Sequence, residues 1–269
     1  QKMGQTSTTG AIKQIGLYVT VSDQLELHAL DNVILGATEE LGASAGTSID
    51  KRVRDAVVAL AKETGTPSDK IFIYNGSKQS DRYTANVSGL FGSARVAMSD
   101  TMFKKGADLA EVRGVVGHEM GHYAHVHVLW TVAILIVLSA LAFWLTDRLY
   151  PLVRRLLRAD RVGDIADPAG LPILALILAF LGVLGTPVLA TMTRTMEADA
   201  DHFSLVHANE PDGLSKALIK TAEYRAPSPS AVEEFLFYDH PSVENRIRRA
   251  MEWKATHPPR DGAEQPTRP

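Results

Sequence analysis

Residues 111–127 read EVRGVVGHEMGHYAHVH, and the histidines and the glutamate in this stretch decide how the rest of the chain is interpreted. On an α-helix, His118 and His122 lie one turn apart on one face, about 6 Å along the axis, so both imidazoles can reach one ion. Glu119 lies about 100° around the helix, beside such an ion. There it can take a proton from water that the metal activates. The stretch therefore predicts a helix that carries two metal ligands and a general base.

Three glycines, Gly114, Gly117 and Gly121, fall in the same predicted helix. Each costs about 1 kcal/mol relative to alanine in a helix interior, so the cluster needs a reason. One explanation is that another backbone or a substrate comes close to this face. The alternative is the packing of small residues between helices next to a membrane.

Two uncharged apolar blocks follow the predicted helix, at residues 128–146 and 168–193. About 20 apolar residues cross a hydrocarbon core of roughly 30 Å, so each block is long enough to span a bilayer. We predict spans at about 128–146 and 170–192, in preference to a pair of buried core helices, which usually carry a polar stripe. Trp130 and Trp144 lie near the two ends of the first block, where interfacial aromatic residues are common.

A second polar cluster, RTMEADADHF at residues 194–203, follows the second block. Glu197 and Asp201 are four residues apart and share a helix face. Glu197 could bind the metal, and Asp201 could accept a hydrogen bond from a ligand histidine. Since two spans return the chain to the side it left, His122 and Glu197 are both expected within about 6–9 Å of one membrane face. The alternative is an acidic helix turn at a membrane boundary.

The remaining polar residues near these ligands are predicted to have no part in the site. We expect the helix that begins near Asp108 to run unbroken into the first span. On such a helix His125 lies about 10.5 Å from His118, too far to share its metal. His125 and His127 are interpreted as interfacial or packing histidines, and Asp199 as a solvated side chain.

Composition excludes several classes of protein. The 269 residues carry a formal charge of −3 and include no cysteine. Thiolate zinc sites, iron–sulfur clusters, disulfide frameworks and cysteine nucleophiles are therefore excluded. The charge balance argues against a nucleic-acid partner bound through a general basic field.

The pattern outside the spans predicts a helix from Ser48 that ends at Gly65, two strands, and two or three helices after residue 207. The strands are expected at residues 71–74 and 95–98. Three regions follow: 1–47, of unknown role; 48–253, the metal-binding membrane domain; and 254–269, a proline-rich tail expected to be disordered.

The chain resembles the type I CAAX prenyl proteases, which are integral-membrane HExxH zinc metallopeptidases of the gluzincin type, and looks most similar to their bacterial members. The matching stretches are ANVSGLFGSARVAMSDTM (85–102), EVRGVVGHEMGHYAHVH (111–127), DIADPAGLP (164–172), RTMEADADHF (194–203), EPDGL (210–214) and FYDHPSVENRI (237–247). The resemblance implies one Zn2+ ion on His118, His122 and Glu197, with Glu119 as the general base.

The same resemblance implies roles for four further residues. Asp201 would hold a ligand histidine, and Asn86, ahead of the strand at 95–98, would bind the substrate backbone. His240 would lie near the scissile carbonyl and stabilise the oxyanion, with Arg246 in support. Without the family, His240 would be interpreted as a capping or packing residue and Asn86 as a turn residue.

Together these observations predict a mainly α fold. A zincin-like metallopeptidase core with a small β-element is interrupted by a two-helix transmembrane hairpin. The predicted function is that of a zinc-dependent membrane endopeptidase with a peptide or protein substrate, and membrane-associated and prenylated proteins are both candidates. The expected location is the inner membrane of a bacterium or the endoplasmic reticulum of a eukaryote, with the lipid bilayer as the second partner.

Three alternatives stay open at this level. An HtpX-type quality-control peptidase shares the zinc chemistry but cleaves misfolded membrane proteins. A scaffold or chaperone with structural zinc is disfavoured because a structural site usually has four protein ligands, and three are counted here. A transporter fragment is disfavoured because neither predicted span contains an ionisable residue.

The chain also departs from the family that it resembles. Members of that family carry further spans ahead of the zinc site, whereas residues 1–47 contain no obvious span, so we expect a truncated chain or a shortened variant. The family places its zinc site on the cytosolic side. The arginines between the spans instead place that connection inside by the positive-inside rule, so the two indications give opposite orientations.

Overall fold

The computed structural model describes residues 51–67, 70–78, 84–89, 94–104, 106–222 and 226–257. Over these ranges the chain forms eight α-helices and three strands. In order they are α1 (Lys51–Thr64), β1 (Ile71–Tyr74), β2 (Ala85–Ser88), β3 (Arg95–Ser99), α2 (Asp100–Lys104), α3 (Leu109–Ala124), α4 (His127–Leu156), α5 (Leu171–His207), α6 (Pro211–Thr221), α7 (Ala231–Phe237) and α8 (Val243–Thr256). The predicted N-terminal region 1–47 lies outside the described residues, and so does most of the predicted tail 254–269. The first residues of that tail belong to α8, which continues to Thr256, so the boundary predicted at residue 254 is wrong.

The small sheet has the order β1-β3-β2. The central strand β3 runs parallel to β1 and antiparallel to β2. Val96 and Met98 on β3 are fully buried. The strands predicted at 71–74 and 95–98 are confirmed, whereas β2 was not predicted. Its four residues include Asn86, which without the family would have been interpreted as a turn residue.

The core lies between this sheet, α1 and α3. Helix α1 begins at Lys51, ends at Thr64 as predicted, and contributes three buried residues, Val57, Leu60 and Ala61. Gly65 follows with a φ of +70°, a left-handed conformation that commonly ends a helix. The fully buried Val112, Val116 and Met120 come from the face of α3 that packs on this cluster.

Helix α3 is packed so closely by α5 and α6 that a methyl group would not fit at the contacts. A Cβ added to Gly121 would lie 3.0 Å from Cα of Ala200 on α5. On α6, a Cβ added to Gly213 would lie 2.2 Å from the carbonyl oxygen of Ala110. The glycines of α3 therefore allow the backbones of other helices to come close, which agrees with both explanations given above.

A turn separates α3 from α4. The predicted unbroken helix from Asp108 into the first span is therefore wrong. Helix α3 ends at Ala124, and Val126 adopts left-handed angles (φ 48°, ψ 39°) before α4 begins. A β-branched residue disfavours this conformation, so local preference does not explain the turn. Contacts of His125 and His127 with Asp199 on α5 hold it instead.

Helices α4 and α5 are long and apolar enough to cross a membrane. The two candidate spans, His127–Leu156 and Pro168–His207, have mean hydropathy 2.5 in their apolar windows. None of the window in α4 is buried and 17% of that in α5 is buried. Val137 and Phe143, for example, are 65% and 73% exposed. The alternative of two buried core helices is therefore not supported.

The contact between α6 and α3 gives the first prediction. Gly213→Ala should destabilise the protein by about 1–3 kcal/mol, because the added methyl group overlaps the main chain of Ala110, which cannot move alone. The measurement is the unfolding midpoint in detergent.

The control is Gly185→Ala in α5, where a Cβ meets nothing within 4 Å. This variant should be as stable as the wild type or more stable by up to about 1 kcal/mol. Equal stability of the two variants would contradict the packing described here.

Candidate active site

Three ligand atoms from two helices converge on one point. On α3, the Nε2 atoms of His118 and His122 lie 3.1 Å apart. On α5, the carboxylate of Glu197 places Oε2 3.4 Å from Nε2 of His118 and Oε1 3.3 Å from Nε2 of His122. His118 and Glu197 are buried, and His122 is partly buried. The structure thus brings the three predicted ligands together, although the apolar hairpin separates Glu197 from the two histidines in sequence.

This donor set fits a zinc ion. Zinc binds histidine nitrogen and carboxylate oxygen at about 2.0–2.2 Å, and tetrahedral ligands at that distance are about 3.3 Å apart. The separations between His118, His122 and Glu197 lie close to this value. Three protein ligands also leave one tetrahedral position for water or substrate, as catalytic zinc sites do.

Asp201 fixes the orientation of His118. Nδ1 of His118 donates a hydrogen bond to Oδ1 of Asp201, with a separation of 2.9 Å. The neutral ring then keeps the lone pair of Nε2 directed at Glu197 and His122. A carboxylate behind a ligand histidine selects the tautomer and increases its basicity, which is the arrangement predicted for Asp201.

Arg246, on α8, balances the charge of the buried carboxylates. Its Nε and Nη2 donate to the two oxygens of Asp201 at 2.7 and 2.6 Å, and Nη2 lies 3.5 Å from Glu197. Burial alone lowers the pKa of Arg246, but Asp201, Glu197 and Glu119 together raise it further above its usual range. The guanidinium stays charged. Its nearest partners are the carboxylates of α5, and its predicted role in substrate binding stays a prediction.

The carboxylates also act on His118 itself. Burial lowers the pKa of His118, but the charges of Glu197 and Asp201 outweigh burial and raise it to about 10. A proton and a metal ion therefore compete for this ring, and metal binding near neutral pH releases the proton.

Glu119 follows His118 on α3 and is partly buried. Its charge is one of those that raise the pKa of Arg246, whose guanidinium contacts Asp201 and Glu197. Its role as the group that exchanges a proton with water stays a prediction.

His240 approaches the ligands from the segment between α7 and α8. Its Nε2 lies 3.4 Å from Oε1 of Glu197, and its Nδ1 donates to Asp239 at 2.9 Å. The segment is anchored because Arg194 donates to the carbonyl oxygens of Glu234 and Tyr238. The structure therefore brings His240 to the ligand cluster, as expected for a group that faces substrate.

Asn86 lies within β2, opposite Ala97 of β3. Its Oδ1 is buried and has no hydrogen-bond partner among the residues that the structure describes. Since β2 is at one edge of the described sheet, Asn86 lies on a strand whose free edge an extended peptide could pair with.

Three residues close to the site make contacts that were not predicted from the sequence. Asp199 contacts both His125 and His127, and its side chain is 45% exposed, so it is partly solvated as predicted. Nδ1 of His127 lies 2.9 Å from Nδ1 of His122. The His-x-His spacing and an aspartate two residues after Glu197 were visible signals. They were not combined because the helix was expected to continue past His125.

Comparison with known proteins gives matches over the same part of the chain. The model of peptidase family M48 matches residues 48–254. The uncharacterized metalloprotease YhfN of Bacillus subtilis is 29% identical over 205 residues, which are 75% of this chain and 48% of YhfN. CAAX prenyl protease 1 of Saccharomyces cerevisiae is 25% identical over 219 residues, 74% of this chain and 47% of the relative. The chain thus spans about half the length of these relatives.

The fold is similar to that in the crystal structure of Ste24p from S. mikatae. The TM-score is 0.64 at 21% sequence identity, and the match covers 87% of this chain and 61% of that one. The likeness supports the mainly helical fold with its small sheet and two long apolar helices.

The convergence of the ligands gives the second prediction. His118→Ala and Glu197→Ala should each lose most of their zinc at a concentration that saturates the wild type, because two ligands remain of three. The measurement is the metal content of purified protein after dialysis against buffered zinc.

His202→Ala is the matched control, because His202 is on α5 but contacts the ring of Trp253, away from the cluster. It should keep the zinc content of the wild type. Full zinc content in either ligand variant would remove that residue from the set.

Proposed function

This chain belongs to peptidase family M48, and from that premise we propose that it is a zinc-dependent membrane endopeptidase. The observation that carries the proposal is the convergence of His118, His122 and Glu197, with Glu119 on the same helix beside them. The two apolar helices support a place in a bilayer. The inner membrane is proposed if the source is bacterial, and the endoplasmic reticulum if it is eukaryotic.

The proposed reaction is hydrolysis of a peptide bond by water. The chemistry that a bound zinc ion supplies is Lewis-acid activation of that water and of the scissile carbonyl. His118, His122 and Glu197 hold the ion. The carboxylate of Glu119 accepts a proton from the attacking water and passes it to the leaving amine nitrogen.

His240 is proposed to stabilise the negative charge that develops on the carbonyl oxygen. Its Nδ1–H is held by Asp239, so the ring directs Nε2 towards Glu197. A ring protonated at both nitrogens can donate from Nε2 to the oxyanion, and preorganised donors of this kind contribute strongly to catalysis.

Asn86 is proposed to bind the substrate main chain. An extended peptide that pairs with a sheet edge needs acceptors for its N–H groups. Asn86 lies on the edge strand β2, where such a peptide would bind. Arg246 is proposed to support substrate binding and His240 by holding Asp201 and Glu197, which it contacts.

The proposed substrates are peptides or proteins at the membrane surface. Prenylated CAAX proteins are the first candidates, because the yeast relative is named CAAX prenyl protease 1. Misfolded membrane proteins, cleaved by an HtpX-type peptidase, are the alternative.

The general base gives the third prediction. Glu119→Gln should keep zinc but lose cleavage by about 10²–10⁴-fold, because the amide cannot accept the proton from water. The measurements are metal content and peptide-bond cleavage in detergent. Glu252→Gln, at an exposed position of α8, is the control and should cleave like the wild type. Full activity of Glu119→Gln would refute the proposed mechanism.

The substrate class gives the fourth prediction. We expect a farnesylated peptide to be cleaved with a higher kcat/KM than the same peptide without the lipid. Unfolded casein is tested in parallel. Cleavage of casein with no preference for the lipid would favour the quality-control function. Absence of all cleavage by zinc-loaded protein would favour a structural role for the metal.

A further inference from the structure

We propose that His127 and Asp199 are positioning residues that hold the zinc ligand His122 through a chain of two hydrogen bonds. The inference rests on the proposed metal site and gives roles to two residues to which the motif and the family match assign none. It starts from contacts around the turn between α3 and α4, where His125 and His127 both lie beside Asp199.

The contacts form a continuous path from the ligand to a carboxylate. Nδ1 of His122 and Nδ1 of His127 are 2.9 Å apart. Nε2 of His127 is 3.2 Å from Oδ2 of Asp199. His127 is buried, whereas Asp199 is on the solvent-accessible side of the path with 45% of its side chain exposed.

The positions of the protons follow from the ligand geometry. Nε2 of His122 faces Glu197 and His118, so its lone pair is the one available to the metal. The proton of the neutral ring is then on Nδ1, which donates to Nδ1 of His127. An accepting nitrogen carries no proton, so neutral His127 is protonated at Nε2 and donates to Asp199. One assignment therefore satisfies every contact on the path.

The broken helix is what makes this path possible. On a continuous helix five residues turn through about 500°, which would place residue 127 roughly 140° around the axis from His122. The left-handed Val126 redirects the chain and returns His127 to the side of His122. A strained β-branched residue persists where its surroundings determine the conformation, and here Asp199 contacts the residues on both sides of it.

The two zinc-binding histidines thus have different supports. His118 donates directly to Asp201, which Arg246 holds by two hydrogen bonds. His122 reaches its carboxylate through one intervening imidazole. Partners behind metal ligands fix the ring orientation in both arrangements, and their loss usually weakens metal binding.

The same cluster could instead be a second metal site. The ligand atoms of His125, His127 and Asp199 lie within 4.8 Å of one another. Coordination by Nε2 of His127 would require its proton to move to Nδ1, opposite the proton on Nδ1 of His122 at 2.9 Å. Two donors would then face each other. The observed contact therefore favours the hydrogen-bonded path over a second ion.

The test measures the zinc dissociation constant of detergent-purified protein by competition with a chelator, together with the number of ions bound. His127→Leu should bind zinc about 10- to 100-fold more weakly, because His122 loses its acceptor. His127→Asn should recover part of this loss, since its side-chain oxygen is attached at the same position as Nδ1. The zinc dissociation constant of Asp199→Ala should lie between those of His127→Leu and the wild type.

His125→Ala is the matched control. His125 contacts Asp199 and lies in the same turn, but it has no described contact with His122. We expect one ion per chain and an affinity within about threefold of the wild type. The unfolding midpoints of His125→Ala and His127→Leu are compared to account for damage to the turn.

Three results would overturn the inference, and they differ from failure of the proposed function. Equal loss of affinity in His125→Ala and His127→Leu would make the turn a general structural support. Two ions in the wild type, one of them lost in His125→Ala, would establish a second metal site. Unchanged affinity in His127→Leu would refute the path while leaving the zinc site intact. If the wild type bound no zinc, the proposed function itself would fail.

Discussion

The distance between α3 and α5 is the constraint on which the site depends. A Cβ on Gly117 would lie 2.9 Å from Oγ of Ser204, and that hydroxyl donates at 2.7 Å to the carbonyl oxygen of Gly114. Small residues on both helices thus let the two backbones approach. Since the ligand atoms converge to within 3.1–3.4 Å, a separation larger by the width of a methyl group would leave the metal without one of its ligands. The helical cost of the glycines is offset by this geometry.

The second constraint is the burial of two carboxylates between these helices. Ionised groups removed from water are stable only where opposite charges and hydrogen bonds compensate them. Asp201 and Glu197 share Arg246, and each also contacts an imidazole. The charge that attracts a divalent cation is therefore already partly compensated by fixed groups. Arg246 reaches the site from α8, so the C-terminal helix is needed for the electrostatics of ligands on α3 and α5.

The sequence predicted the ligand set better than the path of the chain around it. Helical spacing placed His118 beside His122, and the return of two apolar blocks placed Glu197 on the same side of the membrane. The edge strand β2 was missed because its residues, ANVS, include only one β-branched apolar side chain and resemble a turn, whereas β1, of the same length, is the apolar run IFIY. The break at Val126 was missed for a different reason: neither glycine nor proline marks it, and the residues on both sides of it contact Asp199, more than 70 positions away along the chain. Long-range contacts of this kind override local preference and leave no local signal.

The contrast between α4 and α5 shows why the break lies where it does. Helix α5 runs without interruption from Leu171 to His207. The orientation of Glu197 is therefore fixed relative to the apolar part of the same helix. If α3 and α4 were also continuous, the apolar parts of both chain segments would set the angle between the ligand helices. Because of the turn at Val126, the direction of α3 does not depend on that of α4. Helix α3 packs on the buried core, and α4 packs along α5. His127 is the first residue of α4 and contacts His122 of α3. The turn therefore joins the ligand helix to the apolar hairpin through the same histidine that faces the metal ligand.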